Sequence, residues 1–404
     1  MKLAFYIARR YLFSKKTRNA INIISLISVM GILVSTAAMV VVLSAFNGIE
    51  GIVETLYSSF DADIKVAPVK GKTFDYTEFP KAKITEISAV ETIAFSLEEI
   101  ALFSHGENWV TAQMKGVDTS FIRTGKIKEA IEYGDAILFD ETFNYTILGM
   151  GVQNRLGVNL GYGLNEQVKI HTISREKEIK RNTDPFNKQS AIVSGIFSIN
   201  PDFDYNYVLV PFDMAANLLN LQNEASYAEI SLSSKANSEQ IAAQISEVLG
   251  DGFEVKTRYQ QNELIYKTNK AEKWITFVIL AFIMGLSAFN VIASLTMLII
   301  EKKEDVKVLR SIGFTDATIR NIFFYEGMLI NFSGLIGGLA LGLVICFLQM
   351  KFHLIKLEGS VVDYYPVEVK TADLALIILS VLVLALLTTY LPVKLLAKNF
   401  LQKK

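Results

Sequence analysis

The chain has 404 residues, with 40 Lys+Arg against 41 Asp+Glu and a formal net charge of −1, and 51% of it is hydrophobic. A mean hydropathy of +0.33, gathered into four apolar blocks, excludes a plain soluble enzyme and a disordered chain. The balanced charge offers no broad cationic field for nucleic acid, and the single cysteine, Cys346, excludes an intrachain disulfide.

The N-terminal segment 1–20 is basic, with Lys2, Arg9, Arg10, Lys15, Lys16 and Arg18, and reads as an amphipathic stretch. A first membrane span follows over 21–46, long enough to cross about 30 Å of hydrocarbon, which takes about 20 apolar residues. Its apolar run is about twice that of a signal peptide and no small-x-small cleavage site follows, so it is expected to stay as an anchor. Residues 47–273 have ordinary polar composition and form an α+β domain inserted between the first and second spans. Period-2 stretches at 63–66, 109–114, 191–197 and 207–210 predict strands. One amphipathic helix is expected over 238–249, capped by Asn237 or Ser238, with Ile241, Ile245 and Val248 on one face and Gly250 ending it. The stretch 257–273 lacks Pro and Gly and predicts a continuous helix leading into the second span, 274–300. A charged loop occupies 301–318, a third span 319–350, an outside loop 351–373, a fourth span 374–392 and a basic tail 393–404. Lys302, Lys303, Lys307 and Arg310 in the loop with Arg320 just beyond it, and Lys394, Lys398, Lys403 and Lys404 in the tail, place both on the same side as the N-terminus, the cytoplasm by the positive-inside rule. The fold class is therefore a membrane protein of four transmembrane helices with an α+β domain outside.

Little in the chain suggests catalysis. The GKT of 66–73 (VAPVKGKT) lacks the upstream glycine of a phosphate cradle, and Pro68 removes an amide donor, so it reads as a loop. His105, His171 and His353 have no ligand spacing, which predicts no metal site. Glu98-Glu99 reads as a strand with one solvated carboxylate rather than an acid/base pair. No GxSxG elbow and no Cys/His arrangement is present. Catalytic residues and bound cofactors are expected to be absent from this chain.

The segment 301–315 (EKKEDVKVLRSIGFT) is the most informative. Val306, Leu309 and Ile312 recur at about one helical turn among Lys302, Lys303, Asp305, Lys307 and Arg310, with Gly313 placed to end the helix and Thr315 to cap the next. Two readings stand: a solvated charged loop, or a short helix pressing an apolar stripe into a partner's groove. In the third span, Gly334, Gly338 and Gly342 form a small-xxx-small row for close packing within the monomer or in a dimer. Glu326 either snorkels to the interface or bonds a neighbouring helix, and Asn290 requires an internal partner.

These features together resemble the ABC permeases of the MacB/FtsX-type superfamily. Two stretches, 42–50 (VLSAFNGIE) and 287–315 (SAFNVIASLTMLIIEKKEDVKVLRSIGFT), resemble the lipoprotein-releasing permeases, the LolC/LolE family, as does the N-terminal FYIARRYL. The resemblance covers the whole membrane part and the layout of the outside domain, which would be periplasmic with two subdomains. It implies that 301–315 is a coupling helix docking on a separate, LolD-like ABC ATPase that binds ATP and Mg, with Glu301, Asp305, Val306, Leu309, Arg310, Ile312 and Gly313 at the contact. It also implies a second permease subunit, identical or related. A lipoprotein cavity facing membrane lipid would have Met39, Val42, Leu43 and Phe46 on one wall and Trp274, Phe277, Val278 and Phe282 on the other, although such apolar stripes equally suit plain lipid contact. A basic insertion at 171–190 matches the place of a loop that recruits a LolA-like periplasmic carrier, through Arg175, Lys177, Lys180, Arg181, Pro185 and Phe186. A plain long hairpin is the alternative there. The implied function is ATP-driven lipoprotein release from the bacterial inner membrane, with no nucleic-acid partner. Efflux or mechanotransmission within the same superfamily, and a non-transport receptor, are the competing readings.

Overall fold

In the computed structural model of the chain, residues 2–13, 20–124, 126–140, 143–160, 166–173, 186–233, 236–357, 362 and 364–401 are described. The chain divides into two compact units, one of residues 1–52 with 267–404 and one of Val53–Tyr266.

The first unit is a helix bundle. Among the described residues, four helices are long and apolar enough to cross a membrane: Ile23–Ser58, Glu263–Glu301, Asp316–Phe352 and Thr371–Lys394. The first is part of a longer helix, Ala20–Ser58, which continues 12 residues past the predicted end at Phe46. Their shared core joins Ile32, Met39 and Leu43 of the first helix to Met284, Val291 and Leu295 of the second, Ile330 and Leu335 of the third, and Ile377 and Val381 of the fourth. The glycine row is an intramolecular contact: a Cβ at Gly334, Gly338 or Gly342 would meet Ile32, the Leu33 carbonyl or Val40 of the first helix at 2.8, 2.6 and 2.7 Å. Missing side chains let the two backbones approach. Ser25 and Ser294 hydroxyls lie 2.9 Å apart between the first and second helices, satisfying each other where water is excluded. A short helix, Lys2–Phe13, lays Ala4 and Ala8 against Ile322.

The second unit is α+β. Its strands are β1 (Ile64–Pro68), β2 (Phe74–Asp75), β3 (Val90–His105), β4 (Asn108–Val117), β5 (Ile131–Gly134), β6 (Tyr145–Gly149), β7 (Gln167–Ile173), β8 (Phe186–Phe197), β9 (Tyr207–Pro211), β10 (Glu224–Ala225), β11 (Tyr227–Leu232) and β12 (Phe253–Thr257). Ten belong to one sheet in the order β12-β1-β11-β3-β4-β9-β6-β8-β5, with β7 pairing both β3 and β8. The path β3-β4-β9-β6-β8-β7 therefore returns to β3 and closes a barrel, which removes free edges. β3 serves two layers: Ser96 and its predecessors pair with β11, while Leu102–Ser104 pair with β7 on the same edge. Leu97, Phe103, Met114, Leu148, Val168, Ile170, Val193 and Val208 fill the barrel. The wing β12-β1-β11 has its own core of Ile64, Val66, Ile230 and Ile245.

All four predicted strands form. The helix Ser238–Leu249 also forms as expected, with Asn237 Oδ1 accepting from the amides of Glu239 and Gln240, and with Gly250 at φ 66° beyond its end. Its inward face differs: Ile245 and Ala242 are buried, whereas Val248 is 40% exposed. The expected unbroken helix from 257 is interrupted. Thr257 and Gln260 close a capping box around a one-turn helix, Arg258–Gln261, and the long helix restarts at Glu263. Asn262 is drawn out of helical geometry and donates to Asp61 at 2.7 Å. The GKT segment leaves β1 as a turn, with Gly71 at φ 89°.

Candidate functional site

The segment after the second long helix folds as expected of a short helix, Lys303–Ser311. Gly313 follows at φ 95°, in the left-handed region that glycine tolerates. The Thr315 hydroxyl accepts from the Thr318 amide and so starts the next helix. Arg310 donates from Nε and Nη2 to Asp316 Oδ1 at 3.0 and 2.8 Å, tying the short helix to that start. Lys302 stands 3.2 Å from Asp305, and Glu304 pairs with Lys307 at 2.7 Å.

The faces of this helix differ from the predicted stripe. Val306 and Leu309 turn inward onto Leu298, Ile299, Ile319, Phe323 and Val393. Ile312 stays outside at 69% exposure and is joined by Val308, one turn earlier, at 58%. Val308 was not among the expected contact residues. The three-residue spacing of Val306, Leu309 and Ile312 mixes both faces, because the helix stops just before Ile312. Glu301 and Gly313 are exposed, and Asp305 and Arg310 are half-buried. The short helix thus has its own seat in the bundle and still presents two large aliphatic side chains among charges. Paired exposed aliphatics on a charged helix suit a partner's groove.

The eight expected cavity residues separate in the same way. Met39 and Leu43 are fully buried in the bundle core and line no opening. Val42 and Phe46 are half-buried. Phe277 packs partly on the core, while Trp274, Val278 and Phe282, one turn apart, are exposed. Asn290 is exposed on the same helix, not internally partnered as expected, because the other helices leave this side of it uncovered. At one end of the bundle, Lys273 Nζ donates to Asn47 Oδ1 at 2.7 Å and to Asp373 Oδ2 at 2.9 Å. Asn47 Nδ2 also donates to Asp373 at 2.7 Å. This triad pins the first, second and fourth long helices together.

Glu326 neither snorkels nor bonds a neighbour. It is fully buried in the third long helix, and neither carboxyl oxygen has a hydrogen-bond partner.

In the second unit, Arg175, Lys177, Lys180, Arg181 and Pro185 lie outside the described residues. Phe186 opens β8 opposite Ile173 and is exposed. The largest surprise in this unit is a buried charge cluster. Glu98 pairs with Lys115 across β3 and β4 at 3.4 Å, and Lys115 reaches Glu229 of β11 at 2.8 Å beneath the rings of Phe60 and Phe121. Of the Glu98-Glu99 pair, which the sequence expected to carry one solvated carboxylate, Glu98 is enclosed and Glu99 takes the more exposed pairing with Lys72. Burial alone would lower the Lys115 amine, but Glu229 and Glu98 more than offset it and hold the amine above its ordinary value. Burial also works against Glu229, yet Lys115 holds its carboxyl below the ordinary range. Burial pushes the Asp61 carboxyl up, despite its bond from Asn262. Next to this cluster, Arg258 Nη2 donates to Asp63 at 2.6 Å and Gln261 to the Ala62 carbonyl at 3.1 Å. The stretches 61–63 and 258–262 are thus clasped together where the chain leaves one long helix and enters the next.

No group of three or more His, Cys, Asp or Glu placed to hold a metal occurs among the described residues. A family model described as the MacB-like periplasmic core domain matches residues 25–248, and one described as the FtsX-like permease C-terminal matches 277–399. The chain belongs to the MacB/FtsX-type permeases. It is similar to lipoprotein-releasing permeases: it is 25% identical to the lipoprotein-releasing system transmembrane protein LolC of Neisseria meningitidis serogroup B over 96% of this chain and 95% of that one. It is 22% identical to LolE of Haemophilus influenzae, over 98% of each chain. A LolC of Xylella fastidiosa is 22% identical over 96% of this chain and 95% of its own. The solved periplasmic region of MacB from Actinobacillus actinomycetemcomitans is similar at 12% identity and a TM-score of 0.35, covering 54% of this chain and 98% of that one. This permease is a multi-pass membrane subunit of an ABC transporter and not itself an enzyme.

Proposed function

We propose that this chain is the permease subunit of an ATP-driven complex that extracts lipoproteins from the outer leaflet of the inner membrane and passes them to a periplasmic carrier. The observation that carries the reading is the seated helix Lys303–Ser311 with Val308 and Ile312 exposed, in a chain that matches LolC and LolE almost end to end. Three acyl chains at about 0.8 kcal/mol per CH₂ hold a lipoprotein by on the order of tens of kcal/mol, so release needs an energy source. ATP and Mg sit on a separate LolD-like ATPase, whose groove takes the Val308/Ile312 edge beside Glu301, Asp305, Arg310 and Gly313. Both termini and this helix are cytoplasmic, as the basic residues favour, and the four long helices are the spans. The uncovered Trp274, Val278 and Phe282, with Val42 and Phe46 of the first span, face the acyl chains across a second permease subunit. The carrier, LolA-like, binds at the basic stretch 171–190, through Arg175, Lys177, Lys180, Arg181, Pro185 and Phe186.

Two measurements test this reading. The solubilised permease should co-purify with an ABC ATPase, and its depletion should strand outer-membrane lipoproteins in the inner membrane. Normal lipoprotein sorting with altered drug tolerance would instead support efflux by the same superfamily. A chain that purifies with no ATPase would point to a receptor.

A further inference from the structure

The α+β unit holds a cavity of about 460 Å³, bounded by the clasped stretches 61–63 and 258–262 on one side and the buried charge cluster on the other. Its size is that of a small-molecule site. Asp61, Asp63 and Arg258 contribute from the clasp, Glu229 and Ser231 from β11, and Glu91 from the start of β3. Glu229 and Ser231 stand two apart on one strand, so both side chains leave the same face of the sheet. Glu229 is only 4% exposed. Its Oε1 accepts from the Ser96 hydroxyl at 2.6 Å and stands 2.8 Å from Lys115 Nζ, whereas Oε2 has no hydrogen-bond partner. A buried carboxylate oxygen without a donor is costly, and this one belongs to a residue of the cavity wall.

The charges around the cavity do not balance. Lys115 serves Glu98 as well as Glu229, and Lys65 stands 3.6 Å from Glu98. Asp61 Oδ2 accepts from Asn262, a neutral amide. The carboxylates of Glu98, Glu229 and Asp61 thus share the ammonium groups of Lys115 and Lys65, and exposed Glu91 adds a further negative charge. Arg258 does not redress this, because its Nη2 donates to Asp63 at 2.6 Å. Burial pushes the Asp61 carboxyl up, an effect that a nearby cation opposes. The carboxylates occupy separate walls: among the described residues, no group of three or more His, Cys, Asp or Glu is placed to hold a metal. An elongated cation can reach what a compact ion cannot. We propose that this cavity binds a small organic cation, an ammonium or guanidinium group on a short aliphatic stem. The charged head donates to Glu229 Oε2 and Asp61, and the stem lies against Phe121 and Leu232 of the same wall. The carboxylates repel a phosphate, so a free amine suits the cavity better than an ethanolamine lipid headgroup. The site is independent of ATPase docking and of lipoprotein release.

Calorimetric titration of the full-length permease in detergent, with agmatine as the probe, tests it. Agmatine should bind saturably and raise the thermal midpoint. The probe 4-guanidinobutyrate, with the same guanidinium but a carboxylate in place of the ammonium, should bind about tenfold more weakly. Glu229→Gln should lower agmatine affinity about tenfold by removing a charge-assisted bond, and Glu91→Gln should lower it severalfold. Ser231→Phe, which fills the cavity from a half-buried position without altering its charge, should abolish binding. Agmatine binding that survives both Glu229→Gln and Ser231→Phe would be surface attraction only and would overturn the site, as would the absence of saturable binding. Should Glu229→Gln fail to fold, Ser231→Phe and Glu91→Gln remain decisive. The titration is repeated in phosphatidylcholine nanodiscs with and without phosphatidylethanolamine. Equal agmatine affinity in both is expected; a loss in the second would give the cavity to the lipid headgroup and overturn a soluble ligand.

Discussion

Val308 and Ile312 are the side chains on which the docking proposal turns, since each is large, aliphatic and exposed on a helix otherwise covered in charge. Replacing either with Asp should leave the permease folded and weaken ATPase co-purification at least tenfold, by placing an unpaired charge in an apolar groove. Leu309→Asp should behave differently. Its side chain packs within the bundle, so the change should lower thermal stability in detergent as well as binding, and a selective loss of binding would contradict the assigned faces. Lys115 belongs to the same scale. Its ammonium neutralises Glu98 and Glu229 in a closed space, and Lys115→Met should destabilise the α+β unit by about 3–5 kcal/mol in denaturant unfolding. The sign of its pH dependence follows from Glu229, whose carboxyl is held low in the folded protein. Stabilisation is full above the ordinary carboxyl pKa and is lost as the pH falls through the depressed folded value. The stability gap between the native chain and the Lys115→Met variant should therefore narrow on acidification; a gap constant with pH would contradict the pairing. None of this cluster was visible in the sequence, because Lys115, Glu98 and Glu229 meet only through the pairing of β3 with β4 and β11.

At the scale of elements, the long apolar helices, the amphipathic helix at Ser238 and the alternating strands were legible, since each is set by a local period that the chain prints directly. Which side of an element faces inward was less so. The period marked Val306 and Leu309 as apolar, but only the neighbouring spans decide that they are covered. The break at Asn262 was also hidden, because neither Gly nor Pro causes it: a capping box and the Asp61 acceptor do. The clasp formed there by Arg258, Gln261 and Asn262 on 61–63 has a mechanical consequence. Asp63→Ala combined with Asn262→Ala should speed amide exchange across Phe253–Thr257 severalfold while leaving the barrel strands protected; unchanged exchange would show that the clasp holds nothing in place. The glycine row was ambiguous in sequence and is resolved by distance. Gly338→Leu should cost about 1–3 kcal/mol through overpacking against the first span and reduce the folded yield in detergent, independent of any second subunit.

The molecule as a whole joins a bundle whose core draws on all four long helices to an α+β unit with separate barrel and wing cores. Composition alone made that division visible, and the similarity to LolC and LolE is what the proposed function draws on. Under the proposed function, a push on one short helix is converted into release of an acylated protein that the bilayer holds strongly. Reconstitution in proteoliposomes is the most direct test: the permease, its ATPase and an acylated lipoprotein, with soluble carrier outside and ATP supplied to the ATPase side. ATP-dependent transfer of lipoprotein to the carrier is the expected result, abolished by Val308→Asp with Ile312→Asp. Transfer that needs no ATPase, or that continues undiminished in the double variant, would contradict a permease driven through its short helix.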